Sequence, residues 1–286
     1  MHYKRTAVFS IAFIILIFTS GCKVSKNMNP HSSANVVTGV VAHRGAFKKN
    51  KLPENSIASL REAIRLECAG SEFDIRITAD DSLIIIHDPV HTGIKVEETK
   101  FNELVSHKLS NGETLPTLRE YLQAGMHQNK TKLVLEIKPS GVSKQRGLFS
   151  AEKVFDMVRE LGIDEKVIYI SFDYDIIKKI ISLNPQASVQ YLNGDKSPDE
   201  LKQAGINGLD YNLAVFRTRP AWIESAKTNK MVLNAWTVNK ASDMDWLIEK
   251  GFDFITTDEP ELLAQSINFT RNNCNQCCII TFTGKW

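Results

Sequence analysis

His43-Arg44-Gly45 opens a sparse series of ionisable residues that continues with Glu54, Glu72-Phe73-Asp74, His87-Asp88 and Glu136-Ile137-Lys138. Together they offer two imidazoles, several carboxylates and two cations, the groups needed for proton transfer, a metal seat and neutralisation of a phosphate. Side chains two apart on a strand share a face, so Glu72 pairs with Asp74 and Glu136 with Lys138. Two acids on one inward face repel unless a cation joins them.

Something must hold these fragments together, and the chain supplies alternating strand and helix signals for it. Strand patterns are expected over 39–42, 72–78, 132–137, 166–171, 187–192, 208–212, 231–237 and 253–257. Helical spacing lies between them over 55–69, 117–127, 151–161, 174–183, 198–204, 219–229 and 240–250, with a last helix from Glu261. Eight strands separated by helices imply parallel βαβ units closing into an α/β, (β/α)8 barrel; an open doubly wound sheet is the alternative. A barrel gathers reactive groups at the carboxyl ends of its strands, and there His43, Glu72 with Asp74, His87 (after the apolar run 83–86) and Glu136 with Lys138 fall.

The N-terminus bears on location. Lys4 and Arg5 precede an apolar stretch over 7–18, long enough for a secretory signal and short for a membrane span. Thr19-Ser20-Gly21 leads into Cys22, so 1–22 resembles a bacterial lipoprotein signal with Cys22 as the lipidated residue, although Thr19 stands where Leu is usual. Cleavage without lipid is the rival. A flexible tether is expected over 23–37, the barrel over 38–267 and a C-terminal tail over 268–286. The protein is thus expected to be lipid-anchored to a bacterial membrane, facing the periplasm or the cell exterior. Thirty-five basic against 33 acidic residues leave a net charge of +2, which gives no overall attraction to nucleic acid. Cys274, Cys277 and Cys278 lack the second ligand pair of a zinc site, and a local disulfide or a poorly ordered tail is the simpler reading.

His43-Arg44-Gly45, Pro53-Glu54-Asn55-Ser56, Glu72-x-Asp74, Asp80, His87-Asp88 and Glu136-x-Lys138 resemble, in order, the signature of the glycerophosphodiester phosphodiesterase family. The resemblance runs from about Val41 to Pro260. It implies a (β/α)8 TIM barrel with a small insertion after the second strand, which 89–113 would supply. It also implies that Glu72, Asp74 and Glu136 ligate one divalent cation, and oxygen-only ligation favours Ca2+ or Mg2+ over zinc. By the same resemblance His43 and His87 are the acid and base, while Arg44 and Lys138 hold phosphate oxygens. Two departures occur: Ser56 stands where Thr is usual, and Asp81 where a turn Gly is usual.

Other residues divide between site and scaffold. Glu54 either touches the site or fixes the loop before the first helix. Trp236 and Asn239, near the end of the seventh strand, are pocket candidates, with core packing the alternative reading. His91, His107 and His127 are expected to be solvated. The implied activity is metal-dependent hydrolysis of glycerophosphodiesters to glycerol 3-phosphate and an alcohol. Alternatives are a lysophospholipid or sphingolipid phosphodiesterase on the same scaffold, or a catalytically silent lipoprotein that binds phosphorylated ligands. Both histidines and all three acids are present, and a pure binding module needs no proton-transfer pair.

Overall fold

The computed structural model describes residues 38–280, with side chains as far as residue 270. The expected signal over 1–22 with Cys22, the tether over 23–37 and residues 281–286 lie outside the described residues, as do the side chains of Cys274, Cys277 and Cys278. Chain order begins with β1 (Gly39–Ala42), α1 (Ile57–Arg65), β2 (Gly70–Ile77) and β3 (Leu83–Ile85). An insertion follows, with β4 (Val90–His91), β5 (Ile94–Lys95), a 3-10 turn at Val96–Glu98 and α2 (Phe101–Leu104). The alternation resumes with α3 (Leu118–Gly125), β6 (Lys132–Ile137), α4 (Lys144–Glu160), β7 (Val167–Ser171), α5 (Tyr174–Leu183), β8 (Val189–Tyr191) and α6 (Pro198–Gln203). It ends with β9 (Gly208–Asn212), α7 (Leu213–Thr218), α8 (Ala221–Thr228), β10 (Val232–Trp236), α9 (Ala241–Glu249), β11 (Phe254–Thr257) and α10 (Pro260–Ile280).

The sheet closes because β1 pairs in parallel with both β2 and β11, and β6 to β10 fill the interval in sequence order. That is the expected eight-stranded (β/α)8 barrel, and closure excludes an open sheet. Strand alternation sorts the side chains into two layers. Phe73, Ile75, Leu133, Leu135, Tyr169, Leu209, Tyr211, Leu233 and Ile255 belong to the large core that also takes in the helices. Val41, Val134, Ile170 and Leu192 form a smaller cluster with Phe172, Trp236 and Phe254 inside the barrel. Each large side chain so buried contributes roughly 1.5–3 kcal/mol. The barrel interior is therefore full, and what opens to substrate is its carboxyl end.

β3 runs antiparallel to β2, pairing Ile75 with Ile85, and this brings the chain back beside the carboxyl half of β2. The insertion has its own small core, in which Val96, Leu104 and Leu115 pack on Ile84 and Ile86. His91 and His107 are half-buried here, ring edge toward ring face at 6.1 Å, rather than solvated as expected. Local signals set the helix starts. Ser143 caps α4, so that helix begins at Lys144, ahead of the apolar spacing that marked it in the sequence. α7 was not expected: it follows β9 directly and is too short for its spacing to be read. α10 passes residue 267, where the barrel was expected to end, because no Gly or Pro interrupts it after Pro260.

The turn after β1 needs glycine. Gly45 has φ of +79°, and an added Cβ would lie 2.4 Å from Ser59 Oγ and 2.6 Å from the Ser59 backbone carbon. Gly45→Ala is therefore expected to cost about 2 kcal/mol or more of stability in a chemical denaturation curve, from strained backbone and overpacking together. A loss below about 0.5 kcal/mol would mean that the turn tolerates a side chain.

Candidate active site

His43, Arg44, Glu54, Glu72, Asp74, His87, Glu136 and Lys138 gather at the carboxyl end of the barrel, whereas Asp80 stays in the turn before β3 and accepts from Thr78 Oγ1 and the Phe101 amide. β2 delivers Glu72 and Asp74, and β6 lies beside it with Asp74 opposite Glu136. One carboxylate oxygen from each of Glu72, Asp74 and Glu136 lies within 4.8 Å of the others, and all three residues are buried. Lys138 Nζ reaches over them at 2.9 Å from Asp74 Oδ1 and 2.8 Å from Glu136 Oε1. These contacts set one ammonium charge against the three acids. Glu72 Oε1 is buried with no hydrogen-bond partner, and Asp74 Oδ1 and Glu136 Oε1 share the single Lys138 ammonium.

The electrostatics follow from this crowding. Burial, then repulsion from Asp74 and Glu136, pushes Glu72 well above the usual carboxylate range. Burial and Asp74 push Glu136 up to about 7. Asp74 also suffers from burial, yet Lys138, His87 and Asn55 outweigh it and hold that carboxyl below its ordinary value. Burial works against the charge of Lys138, but Asp74 and Glu136 more than offset it and raise the pKa. Ionising all three acids without further positive charge would cost several kcal/mol per buried ion. Three convergent, buried carboxylates facing one ammonium fit a hard divalent cation, for which oxygen donors are the preferred set.

The loop that carries Pro53-Glu54-Asn55-Ser56 holds this cluster in place. Asn55, in the left-handed region at φ of +57°, donates through Nδ2 to Asp74 Oδ2 at 2.8 Å and accepts from the Asp74 amide at 3.1 Å. Ser56 and Ser59 form a reciprocal cap at the start of α1, so serine at position 56 supplies the hydroxyl that threonine would. Asp81 has φ of +64°, which explains the usual glycine there, and it forms an ion pair with Arg146. The Arg44 amide donates to Glu72 Oε2 at 2.8 Å. Arg44 Nη1 donates to both Glu54 oxygens at 2.9 Å, so Glu54 reaches the site by orienting Arg44. Burial opposes the Arg44 charge, and Asp74 and Glu54 overcome it.

Each histidine has its own carboxylate. His43 Nδ1 lies 2.7 Å from Asp258 Oδ1 and His87 Nδ1 lies 2.8 Å from Asp88 Oδ1. A carboxylate accepts, so Nδ1 carries the proton in both rings and Nε2 is left for chemistry. His43 Nε2 sits 4.0 Å from Glu72 Oε2, beside the acid cluster. Burial holds His87 below the ordinary histidine value, against the pull of Asp74 and Asp88. Asp258 was not recognised in the sequence. It follows β11 at the same barrel end, and that position was the available signal. Asn239 is exposed beside Asp258; its Nδ2 donates to Asp258 Oδ2 at 2.7 Å and its Oδ1 accepts from the Asp258 amide at 2.9 Å. Burial disfavours the Asp258 charge, yet His43 and Asn239 hold its pKa below the aspartate range. Trp236 is half-buried, donates to the Asp210 carbonyl at 2.8 Å and stands edge-on to Phe172.

Residues 43–262 match the Glycerophosphoryl diester phosphodiesterase family. The chain belongs to this family. A glycerophosphodiester phosphodiesterase of Caldanaerobacter subterraneus is 30% identical over 245 residues, an alignment spanning 80% of this chain and 98% of that one. The crystal structure of a glycerophosphodiester phosphodiesterase from Parabacteroides distasonis is 38% identical with a TM-score of 0.81, covering 83% of this chain and 99% of that one. An Oleispira antarctica phosphodiesterase, solved with the product sn-glycerol-3-phosphate, shares the fold at 22% identity and a TM-score of 0.68, with 81% and 97% coverage. As a glycerophosphodiester phosphodiesterase, the chain is an enzyme, and its buried acids sit at the barrel end where that fold carries its chemistry.

Proposed function

We propose that the protein hydrolyses glycerophosphodiesters to glycerol 3-phosphate and an alcohol by two-histidine acid and base catalysis at a divalent-cation site. The observation that carries this reading is the convergence of three buried carboxylates with two imidazoles that each have Nδ1 tied to an aspartate. Glu72, Asp74 and Glu136 would hold Ca2+ or Mg2+. Such an ion, when bound, draws charge from the phosphoryl oxygens and acidifies an attacking hydroxyl.

The chain's own residues do the rest. Arg44 and Lys138 place positive charge where the phosphate oxygens gain negative charge in the transition state. One histidine takes a proton through Nε2 from the attacking water, or from a glycerol hydroxyl to give a cyclic phosphate that water then opens with the two roles reversed, and the other returns a proton to the leaving oxygen. Asp258 and Asp88 fix the ring tautomers and stabilise each imidazolium as it forms. Phe172 and Trp236, packed edge to face, would supply an apolar wall for the substrate's alcohol. The product found with the Oleispira antarctica phosphodiesterase is the one expected here.

The deciding experiment is a panel of glycerophosphodiesters, lysophospholipids and phosphomonoesters assayed for the phosphorylated product of each: glycerol 3-phosphate, its acylated form and inorganic phosphate. Turnover of small diesters alone supports the reading. Preference for acyl-chain substrates would favour a lysophospholipase-type diesterase, and binding without turnover a silent protein.

The location proposed is outside the bacterial cytoplasm, by a lipid anchor at Cys22. Lys4, Arg5, the apolar stretch over 7–18 and Cys22 support it. Cys22→Ala is expected to abolish fatty-acid labelling and release the enzyme from the membrane fraction. A wild-type protein that takes up no labelled fatty acid contradicts the anchor.

A further inference from the structure

Beyond the residues that meet substrate, one ion pair ties the insertion to the site. Arg76 lies on β2 two positions after Asp74, and its Nε donates to the backbone carbonyl of His87 at 2.9 Å. Its Nη1 stands 3.8 Å from Glu97 Oε1, and the two side chains are only 11% and 10% exposed. Glu97 belongs to the 3-10 turn of the insertion. It also accepts from Ser140 Oγ and from the Gly141 amide, in the loop that follows Lys138. The segment with His87 is held on its other side by the Ile86 amide, which donates to Asp74 O at 2.9 Å.

A largely buried guanidinium and carboxylate are costly to keep unless they fix something, and removing either partner strands the other. What this pair fixes is the carbonyl of His87 and the loop after β6, both against the insertion. We propose that Arg76 and Glu97 are positioning residues for His87, so that the insertion sets the reach of this imidazole toward the scissile phosphate. Neither residue needs to touch substrate. A displacement of about 1 Å at a reacting group can cost about 100-fold in rate, so a clamp on the His87 backbone acts on turnover more than on binding. The proposal rests on the reading of His87 as a proton-transfer residue.

The test uses Arg76→Lys, which keeps charge but loses the donor fork, and Glu97→Gln, which keeps shape but loses charge. Each is made in the wild-type enzyme and in His87→Ala, with circular dichroism to verify folding. In the wild-type background each variant is expected to lower kcat about 10-fold, with KM and the Kd for Mg2+ changed less than about 2-fold. In the His87→Ala background the same changes should cost less than about 2-fold, because the group they position is gone. Equal losses in both backgrounds, an unchanged kcat in folded variants, or a loss confined to KM would overturn the clamp. If His87→Ala itself turns over at the wild-type rate, the catalytic reading of His87 fails, and the clamp with it.

Discussion

Glu136→Gln should fold and yet lose activity on the order of 10³-fold, with divalent-cation affinity weakened in parallel, since each tenfold corresponds to about 1.4 kcal/mol and the ion supplies several. The substitution keeps size and one acceptor while removing the charge opposite Asp74. Folding should survive because Glu136, pushed up to about 7, is no source of stability when ionised beside Asp74 in the ion-free protein. The same shift gives a sign to the pH dependence of metal binding. Protons compete for Glu136 and Glu72, so affinity should fall as pH drops below about 7. Calorimetric titration of wild type and variant with Ca2+ and Mg2+ measures both effects. A variant that binds and turns over like wild type would remove Glu136 from the ligand set.

The second large effect belongs to the imidazoles. His43→Ala and His87→Ala are each expected to lower kcat by about 10²-fold or more, with KM little changed. Both protons move in one reaction, so the double variant should lose little beyond the worse single. Steady-state kinetics on a small glycerophosphodiester decides this. Modest losses that multiply in the double variant would assign positioning roles instead. Asp258 supports the stronger expectation for His43, because a half-buried acceptor held by Asn239 keeps Nδ1 protonated.

Much of the barrel was legible because its signals are local. Alternation in β2, the short apolar run of β6 and helical spacing in α1 and α5 extend over few residues, and side chains two apart on a strand must share a face. Glu72, Asp74, Glu136 and Lys138 could be placed together on those grounds and by resemblance. Asp258 could not, since its partner His43 is 215 positions away and nothing local marks an aspartate after a strand as a histidine's acceptor. Arg76 and Glu97 were hidden for the same reason. Their meeting depends on how the insertion folds back on β2, which no periodicity specifies. Glu54 stood in a recognised motif, but its hold on Arg44 emerges only from the turn at Gly45 that brings the two loops together.

The account stands most directly on release of glycerol 3-phosphate by the purified, metal-stripped enzyme before and after a divalent cation is restored. It predicts that stripped enzyme is essentially silent on glycerophosphodiesters and that Ca2+ or Mg2+ returns activity to the wild type but not to Glu136→Gln. Undiminished release in excess chelator would contradict it.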